Sequence, residues 1–572
     1  MKNIASFIAC FIIGAVMLQH RIAHTTPERP IKVTVWDGFG YYMYLPAFLL
    51  YDDYKQLNWV PHIDSIYQMT GGDGVQATML ANGDYTFKYL GGVAIMQLPL
   101  FALGHVIAGQ MNYPQDGFSP PYQYAISYGA LLYCLLAIFL LRRILLCYFS
   151  DLTTALTLLL LILATNALHY LPVDNGQSHA WIFVLYVIVL FTALKWHQQP
   201  KMIWAALTGF IIGLATISRP TEAIMLFIPL LWNTHPKEAA RQKWAMVRQQ
   251  KGHILCAALF GLVGIMPQLI YWKLSTGSFI YDVGSRWDFL NPHFRVLFGW
   301  EKGWFIYTPI TLFFIVGLFF IKSFPFRRSV LWFCILNIWI IIAWHEWRYA
   351  ASYATRALVQ SYPVFALPFA AFIERIRSAK WRYAFYVLAL YFTCYNIFQL
   401  RQWWSGALHY DDMNRKYFTR LYWNAHPSPL DMSLLDNDEI LTSESAYSKT
   451  DIAALPSHSL NFPSGSSVLL EEAITTNNED AWLKIEADIK APNAQWLSYL
   501  NAELQTGDSI KKARVRLFRP LVKVDSFNHY EFHVSIPAYF RSSRLKLFLT
   551  AAGDFNGEIN NLRVTQLEKQ DE

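Results

Sequence analysis

A polytopic α-helical membrane protein with a small β-sandwich domain at its C-terminal end, outside the membrane, is the fold class this sequence predicts, on three observations. Hydrophobic residues make up 54% of the 572 and charged residues only 15%, a balance soluble domains rarely reach. Apolar runs of about 20 residues, the length that crosses a bilayer core, recur as far as residue 400. From residue 466 the pattern changes to alternation with period two, as in strands with one buried face.

Eleven spans are expected, at 4–20, 122–146, 152–171, 179–195, 202–218, 221–233, 253–272, 304–321, 329–344, 357–373 and 383–400. The first, in "MKNIASFIACFIIGAVMLQH", has the Lys and apolar run of a signal peptide, but "MLQHRIAH" offers a poor small-residue cleavage site, and the topology uses this helix. Loops holding Lys2, Arg142, Arg143, Lys237, Arg327 and Arg375 are short, dense in cations and cytoplasmic in character. The opposite loops are longer and richer in Asp, Trp, Tyr and Pro, and read as outside. The expectation is a multi-pass protein of the bacterial cytoplasmic (inner) membrane, with its N-terminus inside and its C-terminal domain periplasmic.

The stretch "KYLGGVAIMQLPLFALGHVIAG", from Lys88 to Gly109, breaks this alternation if it crosses the membrane, and Gly91, Gly92, Pro99 and Gly104 make it a poor straight helix. It reads as lying along the outer interface or re-entering it. Residues 21–121 then form one large external loop within a membrane domain over 1–400. Residues 401–465, with "HPSPLDMSLLDNDE" and "LPSHSLNFPSGSS", read as a connector, and 466–572 as the sandwich, carried by "AWLKIEADIKAP", "HYEFHVSIPAYF" and "RLKLFLTAAG".

The net charge of +7 falls in loops between apolar runs, so it is a topology signal and no nucleic-acid partner is expected. Cys10, Cys134, Cys147, Cys256, Cys334 and Cys394 all lie in apolar segments without metal or redox spacing.

Ionisable groups are costly at membrane depth and face cavities where they occur, so the outer ends of the spans are where chemistry can gather. They hold Asp37, Lys88, Asp174 and His179 in "LPVDNGQSHAW", Arg219 in "ISRPTEA", Trp304 and Tyr307 in "GWFIYTP", and His345, Glu346 and Arg356 in "WHEWRYAASYATR". Each has a plainer reading beside the functional one. Asp37 beside Gly38 suits a turn or cap, Arg219 a snorkelling side chain, His345 and Glu346 a solvated rim, His179 a hydrogen-bonded interfacial histidine, and the aromatics an interface belt.

Together these motifs resemble the glycosyltransferase C superfamily, the multi-spanning enzymes that use lipid-linked sugars, and within it the branch of protein O-mannosyltransferases and the aminoarabinose transferase of lipid A. The resemblance covers residues 1 to about 400 and rests on an acidic residue followed by Tyr after the first span ("WDGFGYY"), a large first external loop, and a span closing in Arg-Pro ("SRPTEA"). "GWFIYTPITLFFIVGL" and "SYATRALVQSYPVFALPFA" are similar to bacterial, Bacteroidetes-type members. Two departures stand out: the acidic motif is Asp-Gly where Asp-Glu is common, and "KYLGG" lacks both prolines of the Lys-Pro-Pro-like motif it resembles.

The resemblance implies transfer of a sugar from a polyprenyl-phosphate donor to an acceptor glycan, lipid or protein outside the membrane, by inverting displacement. Asp37 would be the general base, and Lys88, Arg219 and Arg356 would hold the departing phosphate. Tyr41, Tyr42, Asp174, His179, Trp304, Tyr307, His345 and Glu346 are the candidates for acceptor or sugar contact. No residue is assigned as a metal ligand, and a divalent metal stays open because some branches use one. The C-terminal domain resembles carbohydrate-binding or jelly-roll modules. The rivals are a transporter or flippase of lipid-linked glycans, an O-antigen ligase or polymerase, and a non-catalytic membrane scaffold.

Overall fold

The computed structural model describes residues 3–570 except 28, 72–73, 494 and 520; Lys2, counted above among the inside cations, lies outside the described residues. The chain divides into two compact units, 1–397 and 398–572.

The first unit is helical. Among the described residues, seven helices are long and apolar enough to cross a membrane. Six of them answer to expected spans: α1 (Ile4–Ala23), α4 (Pro120–Leu145), α6 (Ser178–Gln198), α8 (Lys251–Thr276), the continuous run Arg356–Arg375, whose α-helical part is α10 (Tyr362–Arg375), and α11 (Ala379–Ser405). The short α2 (Asp37–Tyr42) and the long α3 (Gly92–Gln110) lie in the first loop. Expected spans 152–171, 202–218 and 329–344 appear as the shorter α5 (Asp151–Leu163), α7 (Met202–Thr216) and α9 (Arg327–Ile342). Those at 221–233 and 304–321 are broken into 3-10 and short α-helical pieces at Pro220 and Pro309.

A broken helix inside a membrane protein needs its freed backbone groups bonded elsewhere. At the end of α5, Asn396 donates to the carbonyls of Leu163 and Thr165, each at 2.9 Å. The Thr165 hydroxyl accepts from the Ala167 N–H, and the Asn166 amide donates to the Thr355 carbonyl at 3.2 Å.

Hydrogen bonds show which helix ends lie together. The start of α1 meets the end of α4 and the start of α5: Arg142 donates to the Ser6 hydroxyl at 2.7 Å, and Asp151 accepts the Ala5 N–H at 2.8 Å. The end of α10 joins them, with Glu374 accepting from Ser150. At the opposite end, Asn175 before α6 donates to the Ser127 carbonyl of α4, and the Gly92 N–H of α3 to the Ile217 carbonyl just after α7. Helix α3, expected to lie along the interface, is thus a continuous helix with the length of a span. Gly92 packs at the end of α7, and Gly104 packs against Tyr122 at the start of α4, the same end of the bundle. The first loop also carries a hairpin, β1 (Ala77–Met79) with β2 (Tyr85–Phe87).

The second unit is β-rich. The four-stranded sheet orders β5 (Gly465–Thr475), β10 (Ser542–Ala551), β7 (Tyr499–Thr506) and β8 (Ser509–Arg516). The other sheet orders β3 (Tyr447–Leu455), β11 (Phe555–Lys569), β6 (Ala481–Lys490) and β9 (Asn528–Ser535), with β4 (His458–Phe462) also on β11. Both sheets send side chains into one buried set, including Leu483, Ile485, Phe532, Leu500, Leu545 and Leu547. The segment expected as a connector, 401–465, is corrected: β3 and β4 lie within it. β3 opens with the polar run "YSKTD", and its apolar residues Ile452, Ala453 and Leu455 are only part-buried against the core, so it lacks the strict alternation that marks a half-buried strand.

Candidate functional site

The residues that position the site come from α4 and the loops it holds. Gln123 accepts the N–H groups of Val33 (2.9 Å) and Thr34 (3.3 Å) and donates to the Thr34 hydroxyl at 2.6 Å. One turn on, Ser127 takes the Asn175 amide through its carbonyl. Buried Arg21, near the end of α1, donates to the Val173 carbonyl at 2.9 Å and to the Ser127 hydroxyl. One face of α4 therefore aligns both the chain leading into Asp37 and the loop bearing Asp174.

These two segments touch through glycines. A Cβ on Gly38 would fall 2.3 Å from the Val33 carbonyl oxygen, and one on Gly176 only 1.7 Å from the same atom. The Asp-Gly departure noted in the sequence has this physical cause: position 38 has no room for a side chain.

Asp37 opens α2, fourteen positions beyond the end of α1 at Ala23. Its Oδ2 accepts from Arg356 Nη2 at 2.7 Å and its Oδ1 from the Tyr89 hydroxyl at 2.5 Å. Arg356 Nη1 donates to Gln177 at 2.6 Å, and Gln177 donates on to both Asp174 oxygens, at 3.0 and 3.2 Å. Burial pushes the Asp37 carboxyl up, but the Arg356 guanidinium, the Tyr89 hydroxyl and the Lys88 charge outweigh it and hold it below the usual range. Burial pushes Asp174 up to about 6; Arg356 pulls against this, and the Asp37 charge adds to it. Exposed Lys88 stands with its ammonium 5.6 Å from the Tyr89 ring centre.

A second cluster adjoins this one. Gln360, one turn beyond Arg356, donates to Glu222 at 2.5 Å and accepts from Arg219 at 3.3 Å, and it lies 3.0 Å from His179 Nδ1. Glu222 also accepts from the Tyr186 and Thr221 hydroxyls. Buried Tyr41, bonded to Ser178, lies within the electrostatic reach of Asp37, Arg219 and Arg356 together.

Asp37, Lys88, Asp174 and Arg356 thus come together, with Tyr41, His179 and Arg219 beside them. Other sequence candidates lie elsewhere. Tyr42 is fully buried and bonds the Gly117 carbonyl. Trp304 is fully buried and donates to the Tyr362 hydroxyl at 3.0 Å, and the Tyr307 hydroxyl donates to the Trp300 carbonyl. All three side chains are buried in this structure. His345 and Glu346 form an exposed pair 3.8 Å apart. Sequence reasoning missed Tyr89, Gln177 and Gln360, although Tyr89 follows Lys88, Gln177 lies three residues from Asp174, and Gln360 is one helical turn from Arg356.

Among the described residues, groups of three or more carboxylates and histidines close enough to share a metal occur only in the second unit: Glu444, Glu531 and His533, and Glu486, His529 and Glu531. The Lys484 ammonium already lies among them, 3.2 Å from Glu444, 3.1 Å from Glu531 and 3.5 Å from Glu486. In the first group His533 Nδ1 accepts the Leu441 N–H at 3.0 Å. The neutral ring then carries its proton on Nε2 and has no lone pair there for a metal. Asp37 is paired with the Arg356 guanidinium at 2.7 Å.

No protein-family model and no curated protein matches the chain. Among solved structures it is similar to ArnT from Cupriavidus metallidurans, at 13% identity over 72% of this chain and 68% of that one, with a TM-score of 0.44. It is also similar to the oligosaccharyltransferase of Archaeoglobus fulgidus (13% identity, 74% and 58% coverage, TM-score 0.41). Arabinosyltransferase EmbB from Mycobacterium smegmatis is aligned over 98% of this chain and 64% of its own length, at 10% identity and a TM-score of 0.41. At these identities and TM-scores the likeness carries no argument for the site, whose reading rests on its side chains.

Proposed function

We propose that this chain is a membrane glycosyltransferase that moves a sugar from a polyprenyl-phosphate donor to an acceptor outside the membrane, with inversion at the anomeric carbon. The observation that carries the reading is the part-buried Asp37–Arg356 pair at one end of the helical unit, with Lys88 beside it and Asp174 linked through Gln177. A base and a phosphate-binding cation are the two groups that this displacement needs at one membrane boundary.

In the resting site Arg356 is the counter-ion of Asp37. A lipid phosphate competes for the guanidinium, whose planar fork suits paired phosphate oxygens. As Arg356 turns to the phosphate, Asp37 loses the charge that depresses its basicity and becomes able to accept the acceptor's hydroxyl proton. The acceptor oxygen then bonds to the anomeric carbon, the carbon–oxygen bond to phosphate breaks, and its electron pair leaves with polyprenyl phosphate. Arg356, Lys88 and Arg219 offset the growing charge. Asp174, titrating closer to neutrality, orients the acceptor through its free lone pairs.

In this reading the cation-rich helix ends face the cytoplasm, the site faces outward at the inner membrane, and the C-terminal unit is periplasmic. The deciding experiment supplies purified protein with polyprenyl-phosphate sugars and a panel of acceptors and follows release of polyprenyl phosphate. Asp37→Asn is expected to lower turnover by about a hundredfold or more, and equal turnover would overturn Asp37 as base. Absence of release by the wild-type protein with every donor would favour the transporter or scaffold.

A further inference from the structure

Trp36, immediately before Asp37, has no part in the reaction described above, yet its conformation is unusual. Its backbone stands at φ 51°, ψ −125°, a left-handed region that a bulky side chain rarely enters. The N–H is held by the Met69 carbonyl at 2.9 Å. The indole lies against Gly71, itself at φ 66°, where a Cβ would sit 2.1 Å from the Trp36 ring. So seated, the side chain is still 48% exposed.

We propose that the indole of Trp36 is the platform on which the acceptor lies, and that this acceptor is a glycan. Strained backbone persists where the surrounding structure over-determines it, and here a glycine-cleared seat and a backbone hydrogen bond hold the residue that immediately precedes the reacting carboxylate. A sugar ring presents one apolar C–H face and a rim of hydroxyls. An exposed indole on the residue immediately before Asp37 offers an apolar surface for the C–H face, and the polar groups that Asp37 gathers, Arg356 and the Tyr89 hydroxyl, offer partners for the hydroxyl rim. A tryptophan that only anchors the protein in the membrane interface needs exposure, but neither the left-handed backbone nor the cleared seat. The inference deepens the glycosyltransferase reading and rests on it.

The test uses the full chain, fluorescently labelled and in detergent, on an array of lipid-free glycans, which needs no turnover. Capture by at least one glycan class is expected, with a loss of about tenfold in apparent affinity for Trp36→Ala and retention by Trp36→Phe. Capture by no glycan, or equal capture by wild type and Trp36→Ala, would overturn the proposal. In the turnover assay Trp36→Ala should raise the acceptor KM by about tenfold while leaving the donor KM unchanged; a saturating lipid or protein acceptor insensitive to Trp36 overturns the glycan assignment. Trp36-dependent capture without any release of polyprenyl phosphate would instead sink the glycosyltransferase reading and leave glycan binding standing.

Discussion

Asp37 illustrates how a single residue's chemistry depends on its neighbours' shapes. Its motif departs from Asp-Glu because a Cβ at position 38 would fall 2.3 Å from the Val33 carbonyl oxygen. Gly38→Glu is therefore expected to lower stability by about 1–3 kcal/mol through overpacking and to displace Asp37; thermal unfolding in detergent, read beside turnover, checks this, and a wild-type Tm would contradict it. Asp174 makes a pH-dependent contribution of opposite sign to the usual carboxylate. Its folded value of about 6 lies above the ordinary 3.8, so the folded protein holds this proton more tightly and loses stability as pH rises through about 6. Asp174→Asn should accordingly raise the Tm relative to wild type at about pH 8 and much less at about pH 4. The same variant should remove the limb near pH 6 from the turnover profile.

Among the elements, α4 is the part on which the site is aligned. Gln123 satisfies two buried backbone N–H groups just before Asp37, and a leucine there leaves both without a partner. Gln123→Leu is predicted to cost about 1–3 kcal/mol per unpaired group and to lower kcat more than it raises the donor KM, since it shifts the base and not the phosphate-binding Arg356. Unchanged kinetics would show that Asp37 is held by Arg356 and Tyr89 alone. Helix α4 was legible in the sequence as an apolar run, but its alignment role was not. Gln123 and Ser127 look like ordinary polar residues near a helix start until the partners from 33–34 and 173–175 are brought against them.

Across the membrane unit as a whole, the helix ends sort into two sets, one holding Ser6, Arg142, Asp151 and Glu374 and the other holding the site. Cys147 is exposed and follows α4 at the first of these ends. If that end faces the cytoplasm, a membrane-impermeant maleimide should label Cys147 only after permeabilisation, with the signal lost in Cys147→Ser. Labelling in intact cells would invert the topology and place the site inside. The spans near 152–171 and 304–321 were legible as apolar runs, but their breaks were not, because the groups that satisfy the freed backbone, such as Asn396 at Leu163 and Thr165, lie far along the chain.

Local physics, readable along the chain, accounts for a good part of this protein: apolar length made helices able to span a bilayer, period-two alternation made most of the strands, and the cost of burying charge collected the ionisable residues at the span ends. Which of those residues meet was settled by folding in three dimensions. Asp37 and Arg356 are 319 positions apart, and their pairing depends on closing loops through glycine contacts and the α4 face, none of which leaves a periodic trace. Packing also buried Tyr42, Trp304 and Tyr307 and left Trp36 exposed, because the burial of an aromatic ring is a property of its neighbours and not of its own type.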